Sequence, residues 1–209
     1  MITIQEYLEN PCKKSSLPYW KAKSFNLPVN MKVVHESDFN NTYLQNYKDV
    51  PYFRLIHPMN NINRKDEDGF YIRTVKASDI QTIVDIINNS YVDIQVTYKQ
   101  ILSYTSTQVY HENLWILVYE STTNKVIGCG IADLDKEVQE GILEWIQVLP
   151  QYRNKGVGSL IVNELLYRMR RNAKFVTVSG QVDNVSRPEV LYRRCGFIGS
   201  DIWHILYTL

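Results

Sequence analysis

The sequence predicts an α+β protein with a mixed, mostly antiparallel β-sheet and helices on both faces of that sheet. Segments rich in apolar residues and of strand length alternate with segments whose apolar residues recur every three to four positions. Three strand-like runs also follow one another with only short polar turns between them, which is typical of an antiparallel meander. The predicted order of elements from residue 70 onward is β-α-α-β-β-β-α-β-α-β-β.

Individual elements follow from local signals. A helix is predicted after Ser78, which forms a capping box with Gln81 and precedes an apolar face of isoleucines and valine. The last helix is framed by a second capping box, Ser186 with Glu189, and ends at Gly196. Two further helices are predicted over 95–104 and 157–169. The predicted strands cover 70–75, 114–120, 126–135, 141–149, 175–182, 197–198 and 202–207.

Composition narrows the class of protein. The chain has 209 residues, with 23 Lys and Arg against 22 Asp and Glu, so its net charge of +1 lacks the basic excess of a nucleic-acid-binding protein. Its three cysteines match neither a metal-binding spacing nor a disulfide framework. No apolar run is long enough for a signal peptide or a membrane span. We therefore expect a cytoplasmic protein with neither nucleic acid nor membrane as a partner.

The distribution of glycine and proline predicts a boundary near residue 68. All nine glycines lie at or after Gly69, whereas five of the seven prolines precede it. We expect residues 1–68 to form an ordered N-terminal extension that packs on a domain of residues 69–209. Within this extension, Thr3 and Glu6 have the form of a capping box, and residues 31–35 could form a strand.

The turn before the predicted helix at 157 carries the strongest chemical signal. It contains Gly156 and Gly158, which permit a tight turn. The first amide N–H groups of the following helix have no intrahelical acceptor, and the positive end of the helix dipole lies there. Arg153 and Lys155 add cationic donors, so the turn suits a pyrophosphate. The same spacing also fits a plain strand-to-helix turn.

Two other phosphate-binding motifs are absent from the sequence. A P-loop requires Gly, four residues and then Gly-Lys-Ser/Thr, and no such run occurs. A dinucleotide fingerprint requires a third glycine three residues after Gly158, where Ile161 stands. ATP and NAD are therefore poor candidates for the ligand.

Two segments resemble the signatures of the GNAT superfamily of acyl-CoA-dependent N-acyltransferases. Arg153-Asn-Lys-Gly156-Val-Gly158 is similar to its R/Q-x-x-G-x-G/A motif. Leu191-Tyr192-Arg-Arg-Cys-Gly196-Phe197 is similar to its Leu-Tyr-x-x-x-Gly-Phe motif near the C-terminus. The resemblance spans residues 70–209 and implies the GNAT fold and transfer of an acetyl group from acetyl-CoA to a primary amine.

The resemblance also implies a set of cofactor contacts. The pyrophosphate of acetyl-CoA would lie on the turn, and the pantetheine arm would follow the strand that ends at Val148, whose backbone N–H could stabilise an oxyanion. An asparagine that often opens the last helix has its nearest equivalent in Asn184, one residue earlier than usual. The turn residues implied in cofactor binding are Arg153, Asn154, Lys155, Gly156, Val157, Gly158 and Ser159.

Two side chains are candidates for the proton transfers. The motif assigns Tyr192 as the acid that protonates the departing thiolate, although tyrosines on amphipathic helices are more often core residues. Glu144 lies four residues before Val148, so alternation along a strand would place both side chains on one face. It could act as the base for the amine. The alternatives are an ion pair at the surface or an anchor for the ammonium group.

Other side chains give weaker signals. We expect Cys129 and Cys195 to be inert core residues and the four scattered histidines to form no metal site. Four acids in one predicted hairpin could attract a cationic amine, but a solvated charged turn is the more common explanation: Asp133, Asp135, Glu137 and Glu140. A catalytically silent acyl-CoA sensor is the alternative function. The resemblance implies a small-molecule or peptide amine as the acceptor, and a homodimer is compatible with the sequence.

Overall fold

The computed structural model describes residues 2–64, 68–90 and 94–209. Its helices are α1 (Ile4–Glu9), α2 (Pro11–Lys14), α3 (Tyr19–Ala22), α4 (Ile80–Ser90), α5 (Tyr98–Tyr104), α6 (Val157–Met169) and α7 (Pro188–Arg194). Its strands are β1 (Met31–His35), β2 (Tyr47–His57), β3 (Phe70–Thr74), β4 (Trp115–Glu120), β5 (Val126–Asp135), β6 (Glu140–Val148), β7 (Phe175–Gln181) and β8 (Ile198–Thr208). The predicted α+β class with mostly antiparallel strands is confirmed.

The chain forms two compact units. The first combines Met1–Pro58 with Phe175–Leu209, and the second consists of Met59–Lys174. These units do not follow the sequence boundary between residues 68 and 69, because the N-terminal segment shares a unit with the C-terminal strands. The description of 1–68 as an extension of a 69–209 domain stays a prediction.

In the first unit, strand β2 pairs with two strands from the other end of the chain. The strand order is β1-β8-β2-β7, and every pair of neighbours is antiparallel. Tyr52, for example, lies opposite Gln181 of β7 and opposite Trp203 of β8. Part of the N-terminal segment is thus an interior strand of this sheet. The two closing strands predicted over 197–198 and 202–207 are instead the single strand β8.

Sequence reasoning missed β2 because Pro51 lies inside it. Proline lacks the N–H that a ladder needs and is normally confined to edges or ends of strands. Here the pairing with β7 begins only at Tyr52, and the Pro51 carbonyl accepts a hydrogen bond from the Val182 N–H just beyond the end of β7. The N–H that proline lacks would therefore lie just beyond the last pair of hydrogen-bonded residues between β2 and β7.

In the second unit, the strands pair in the order in which they occur. The strand order β6-β5-β4-β3 is an antiparallel meander, as the short polar turns predict. The apolar face of α4 packs against α5 and the strands in a core of buried side chains. Fully buried members of this core are Ile83, Ile87, Ile101, Trp115 and Ile131. Burial of one such side chain contributes about 1.5–3 kcal/mol.

The helix starts agree only in part with the predicted capping boxes. The Thr3–Glu6 box is confirmed, and α5 begins with an additional box formed by Thr97. Before α4, the carboxylate that accepts the capping hydrogen bond belongs to Asp79 and bonds the Lys76 N–H, so the Ser78–Gln81 box is wrong.

The Ser186–Glu189 box is also wrong. Helix α7 begins one residue later than that box requires, with Pro188 in its first turn and Arg187 as its N-cap in the left-handed region. Proline at the first helical position has the helical φ already fixed. The Ser186 hydroxyl instead donates to the side chain of Asn184.

Helix α6 lies close against β5 because two glycines leave room for it. A Cβ atom on Gly130 would lie 2.5 Å from Ile161 Cγ2 and 3.0 Å from Leu165 Cδ1. Gly128, which is opposite Val148, likewise allows a close approach of Ile161. This packing fixes the N-terminus of α6 relative to the end of β6. In the described part of the chain, no helix has the length and apolar character needed to span a membrane.

Candidate functional site

The turn between β6 and α6 has the backbone of an anion-binding cradle. Asn154 and Gly156 both have positive φ, 61° and 82°. Gly156 is the N-cap of α6 and provides no side chain to cap it, so the amides of the first turn depend on an external acceptor. The residues from Arg153 to Gly156 are exposed. A pyrophosphate fits this arrangement, since its oxygens can accept from uncapped amides at the positive end of the helix dipole.

The two cations of the turn have different environments. Arg153 Nη2 donates to the Ser90 carbonyl at 2.6 Å, and its Nε donates to the Val148 carbonyl at 3.3 Å. Lys155 is exposed, and its Nζ lies 5.1 Å from the centroid of the Tyr152 ring. Arg153 therefore bonds backbone carbonyls within its own unit, whereas Lys155 stands at the surface of the turn.

Tyr152 ties the other side of the turn to β4. Its hydroxyl donates to Glu120 Oε2 at 3.2 Å, and the same oxygen accepts from Thr123 Oγ1 at 2.6 Å. Desolvation raises the pKa of Tyr152, and the nearby Glu120 carboxylate raises it further. The phenol is therefore a neutral donor near neutral pH. Sequence reasoning missed both Ser90 and Glu120, because each lies at least 30 residues from the turn in the sequence.

Glu144 lies at a β-bulge in β6. Trp145 is opposite Ile131 and Leu143 is opposite Ala132, so Glu144 is the extra residue of the bulge. Bulges change the direction of nearby side chains and are frequent beside active sites. The alternation used to place Glu144 on the face of Val148 holds from Val148 to Trp145 and ends at the bulge. Glu144 is half-buried.

Tyr192 lies in the first unit, on α7, and is 7% exposed. Its ring packs between two aromatic rings, with centroid distances of 6.2 Å to Phe53 and 5.7 Å to Phe197. Phe53 belongs to β2, so the N-terminal segment helps to orient the tyrosine of the C-terminal motif. Contacts with two aromatic rings are expected for a tyrosine in a core.

Asn184 structures the turn before α7. Its Oδ1 accepts from the Ser186 N–H at 2.9 Å and from the Ser186 hydroxyl at 2.6 Å. Its carbonyl accepts from the Arg187 N–H at 2.9 Å. This is an Asx-type turn, a local arrangement in which asparagine bonds the backbone two residues ahead. The Asn184 amide nitrogen is the part of the side chain left for a cofactor contact.

The acids of the β5–β6 hairpin do not form a solvated charged turn. Asp133, Asp135 and Glu140 are buried, and only Glu137 is exposed together with Lys136. Asp135 Oδ1 accepts from the Glu137 N–H at 2.9 Å. These three carboxylates are therefore part of the buried structure of the hairpin.

The cysteines have the character of core residues. Cys12, Cys129 and Cys195 are all buried, and desolvation raises the pKa of the Cys129 thiol to about 12. A thiol of that pKa is a poor nucleophile near neutral pH. Among residues 2–64, 68–90 and 94–209, no group of three or more His, Cys, Asp or Glu side chains is arranged to hold a metal ion.

Comparison with known proteins agrees with this geometry. Residues 111–198 match the family model described as an acetyltransferase (GNAT) domain. A GCN5-related N-acetyltransferase from Sphaerobacter thermophilus has a similar structure, with a TM-score of 0.71 and 17% identity. That alignment covers 84% of this chain and 58% of the other, so this chain spans little more than half of the Sphaerobacter protein. A search of curated proteins finds no sequence match.

Two further structures extend the comparison. A functionally unknown conserved protein from Staphylococcus epidermidis aligns over 100% of this chain and 82% of its own length, with a TM-score of 0.60 and 13% identity. The ribosomal-protein-S18-alanine N-acetyltransferase from Escherichia coli aligns over 66% of this chain and 93% of its own length, with a TM-score of 0.53 and 16% identity. At such identities the likeness concerns the fold. The family match adds that residues 111–198, somewhat less than half of the chain, correspond to an acetyltransferase (GNAT) domain.

Proposed function

We propose that the protein is an N-acetyltransferase that transfers the acetyl group of acetyl-CoA to a primary amine by direct attack in a ternary complex. The observation that carries this proposal is the exposed turn before α6, where Asn154 and Gly156 have positive φ and the helix has no side-chain cap. In an acetyltransferase domain, such a turn is the natural binding site for a pyrophosphate.

The turn would bind acetyl-CoA mainly through its backbone. The uncapped backbone amides of Val157, Gly158 and Ser159 are proposed to bind the pyrophosphate. Asn154 and Lys155 lie beside them in the turn and are proposed as further contacts. The bound cofactor supplies an activated thioester. The backbone N–H of Val148, at the end of β6, would stabilise negative charge on the acyl oxygen. Asn184 is proposed as an additional polar contact.

Two side chains would move the protons. Glu144 takes a proton from the acceptor ammonium group, so that a neutral amine attacks. The new C–N bond would form, the C–S bond would break, and Tyr192 would donate its phenolic proton to the leaving sulfur. The nitrogen would lose its second proton as it becomes an amide, and this proton would restore the Tyr192 phenol. The bulge at Glu144 supports its assignment, because it sets this side chain apart from the regular alternation of β6. The acceptor is a small-molecule or peptide amine.

The cofactor part of the proposal is tested by thermal unfolding with and without acetyl-CoA. A ligand at one hundred times its dissociation constant stabilises a protein by about 2.7 kcal/mol. For a chain of this size we expect the melting temperature to rise by roughly 5–10 °C. NAD and ATP at the same concentration serve as controls and should produce no rise. Equal rises with all three would contradict a specific acetyl-CoA site.

The catalytic part is tested with Tyr192→Phe. Loss of the proton donor should lower thiol release from acetyl-CoA, measured with a panel of primary amines, by about a hundredfold or more. Acetyl-CoA affinity should stay near that of the wild type, because the aromatic packing with Phe53 and Phe197 is kept. Tyr207→Phe, at an exposed position of β8, is the matched control. Unchanged turnover in Tyr192→Phe would disprove the acid role.

A further inference from the structure

We propose that Arg153 is a positioning residue for the cofactor turn and makes no direct contact with the pyrophosphate. The inference rests on the proposed function, since it concerns how the acetyl-CoA site is built. In this assignment the guanidinium clamps the turn to the end of α4 and to the end of β6. The anion is left to the backbone amides and to Lys155.

The contacts of the guanidinium support the clamp. Nη2 and Nε lie on one edge of the group, and this edge is one of the two that can form bidentate pairs with carboxylates and phosphates. Both atoms are already donating, Nη2 to the Ser90 carbonyl at 2.6 Å and Nε to the Val148 carbonyl at 3.3 Å. A phosphate on this edge would have to displace two backbone acceptors.

The acceptor on α4 is favourable for a cation. Ser90 is the last residue of α4 in the described part of the chain, and residue 94 lies outside any helix, so the Ser90 carbonyl is one of the final four that lack an intrahelical donor. The negative end of the helix dipole lies at the same place. A guanidinium there satisfies an orphan acceptor and interacts with the dipole, which gives Arg153 a reason to remain in this position whether or not a ligand is bound.

The clamp connects segments that are far apart in the sequence. Val148 ends β6, Arg153 begins the turn and Ser90 ends α4, so one side chain sets the relative position of all three. The Tyr152 hydroxyl holds the adjacent residue to Glu120 of β4. With both ties in place, the backbone from Asn154 to Gly156 is presented to the ligand with little freedom to rearrange, which lowers the entropic cost of binding.

The test compares Arg153→Lys and Arg153→Gln, with Lys155→Gln as the matched control in the same turn. Acetyl-CoA affinity is measured by calorimetry at low and high salt, after thermal unfolding has shown a melting temperature close to that of the wild type. Neither Lys nor Gln can donate to the Ser90 and Val148 carbonyls at the same time. Both Arg153 variants should therefore lose acetyl-CoA affinity by a similar factor of about ten or more. Their salt dependence should stay close to the wild type. Lys155→Gln should weaken the salt dependence.

Two results would overturn the clamp. The first is wild-type affinity in Arg153→Lys together with lost affinity in Arg153→Gln, because charge alone would then suffice. The second is wild-type affinity in both variants.

Amide hydrogen exchange of the ligand-free protein separates this inference from the proposed function. Exchange over 86–90 and 149–156 should be faster in both Arg153 variants and unchanged in Lys155→Gln. If wild-type protein fails to bind acetyl-CoA while exchange changes in this way, the proposed function is wrong and the clamp is supported. Unchanged exchange in the Arg153 variants would reject the clamp.

Discussion

The two compact units are built from different kinds of contact. In the second unit, β3, β4, β5 and β6 pair with the strands next to them in the sequence. In the first unit, β1 and β2 pair with β7 and β8, more than a hundred residues away. Local patterns of apolar residues therefore describe the second unit well, whereas the first unit depends on pairings that no local pattern contains. The GNAT motifs are shared between the units, with the turn in the second and Tyr192 in the first.

The strongest test of this difference is removal of residues 1–58, which leaves the chain from 59 to 209. The deletion removes β2 from between β7 and β8 and exposes two strand edges with their apolar faces. We expect complete loss of a cooperative thermal transition, measured by circular dichroism, and aggregation on expression. The sequence boundary at residue 68 predicts the opposite, namely a stable domain over 69–209. A cooperative melt that shifts with acetyl-CoA would favour that boundary.

A matched pair of glycine substitutions compares packing in the two units. In Gly130→Ala of the second unit, the new Cβ lies 2.5 Å from Ile161 Cγ2, close to the backbone of a fully buried residue. In Gly180→Ala of the first unit, it lies 2.5 Å from Phe53 Cζ, at the tip of a long side chain and away from any backbone atom. We expect Gly130→Ala to lower the free energy of unfolding by about 1–3 kcal/mol, with a smaller loss for Gly180→Ala. Urea unfolding measures both, and a reversed order would mean that the Phe53 ring is fixed.

The smallest expected effect concerns pH and is specific to the first unit. His57, on β2, is 5% exposed, and desolvation by burial lowers its pKa. Below about pH 6.5 the unfolded chain binds a proton at this residue that the folded protein does not bind. Its contribution to stability is therefore lost as the pH falls from about 6.5 toward the lowered folded pKa, by at most about 1.4 kcal/mol per pH unit.

Urea unfolding at pH 7.5 and 5.5 measures this contribution. His57→Gln should reduce the difference between the two pH values, and His111→Gln, in the second unit, should leave it unchanged. If the free energy of unfolding differed more between the two pH values in His57→Gln than in the wild type, burial would raise rather than lower the pKa of His57.

The elements that sequence patterns predicted correctly are those with a strong local signal. The apolar run over 126–135 coincides with β5, and the four-residue repeat that begins at Val157 coincides with α6. Strand β2 was not predicted because Pro51 has no N–H to donate to a neighbouring strand. This matters little here, because the pairing with β7 begins only at Tyr52, which the sequence does not show. The capping box at Ser186 failed for a related reason, because Pro188 sets the start of α7.

The candidate site shows the same division. The backbone of the turn was predictable, since glycines before an amphipathic helix are a local pattern, and the positive φ of Gly156 agrees with it. The contact of Arg153 with Ser90 was not predictable, because it depends on where α4 ends. The bulge at Glu144 was equally hidden, since it arises from the register of β6 against β5 rather than from the sequence of β6.

The interior position of β2 has a consequence for synthesis on the ribosome. Residues 47–57 leave the exit tunnel long before either neighbouring strand exists, because β7 begins at Phe175. At typical elongation rates the delay is on the order of 10 s. During that time Phe53 and Leu55, which end up buried, have no partner strand to cover them. The nascent chain is therefore expected to depend on chaperones that hold an apolar N-terminal segment until translation ends.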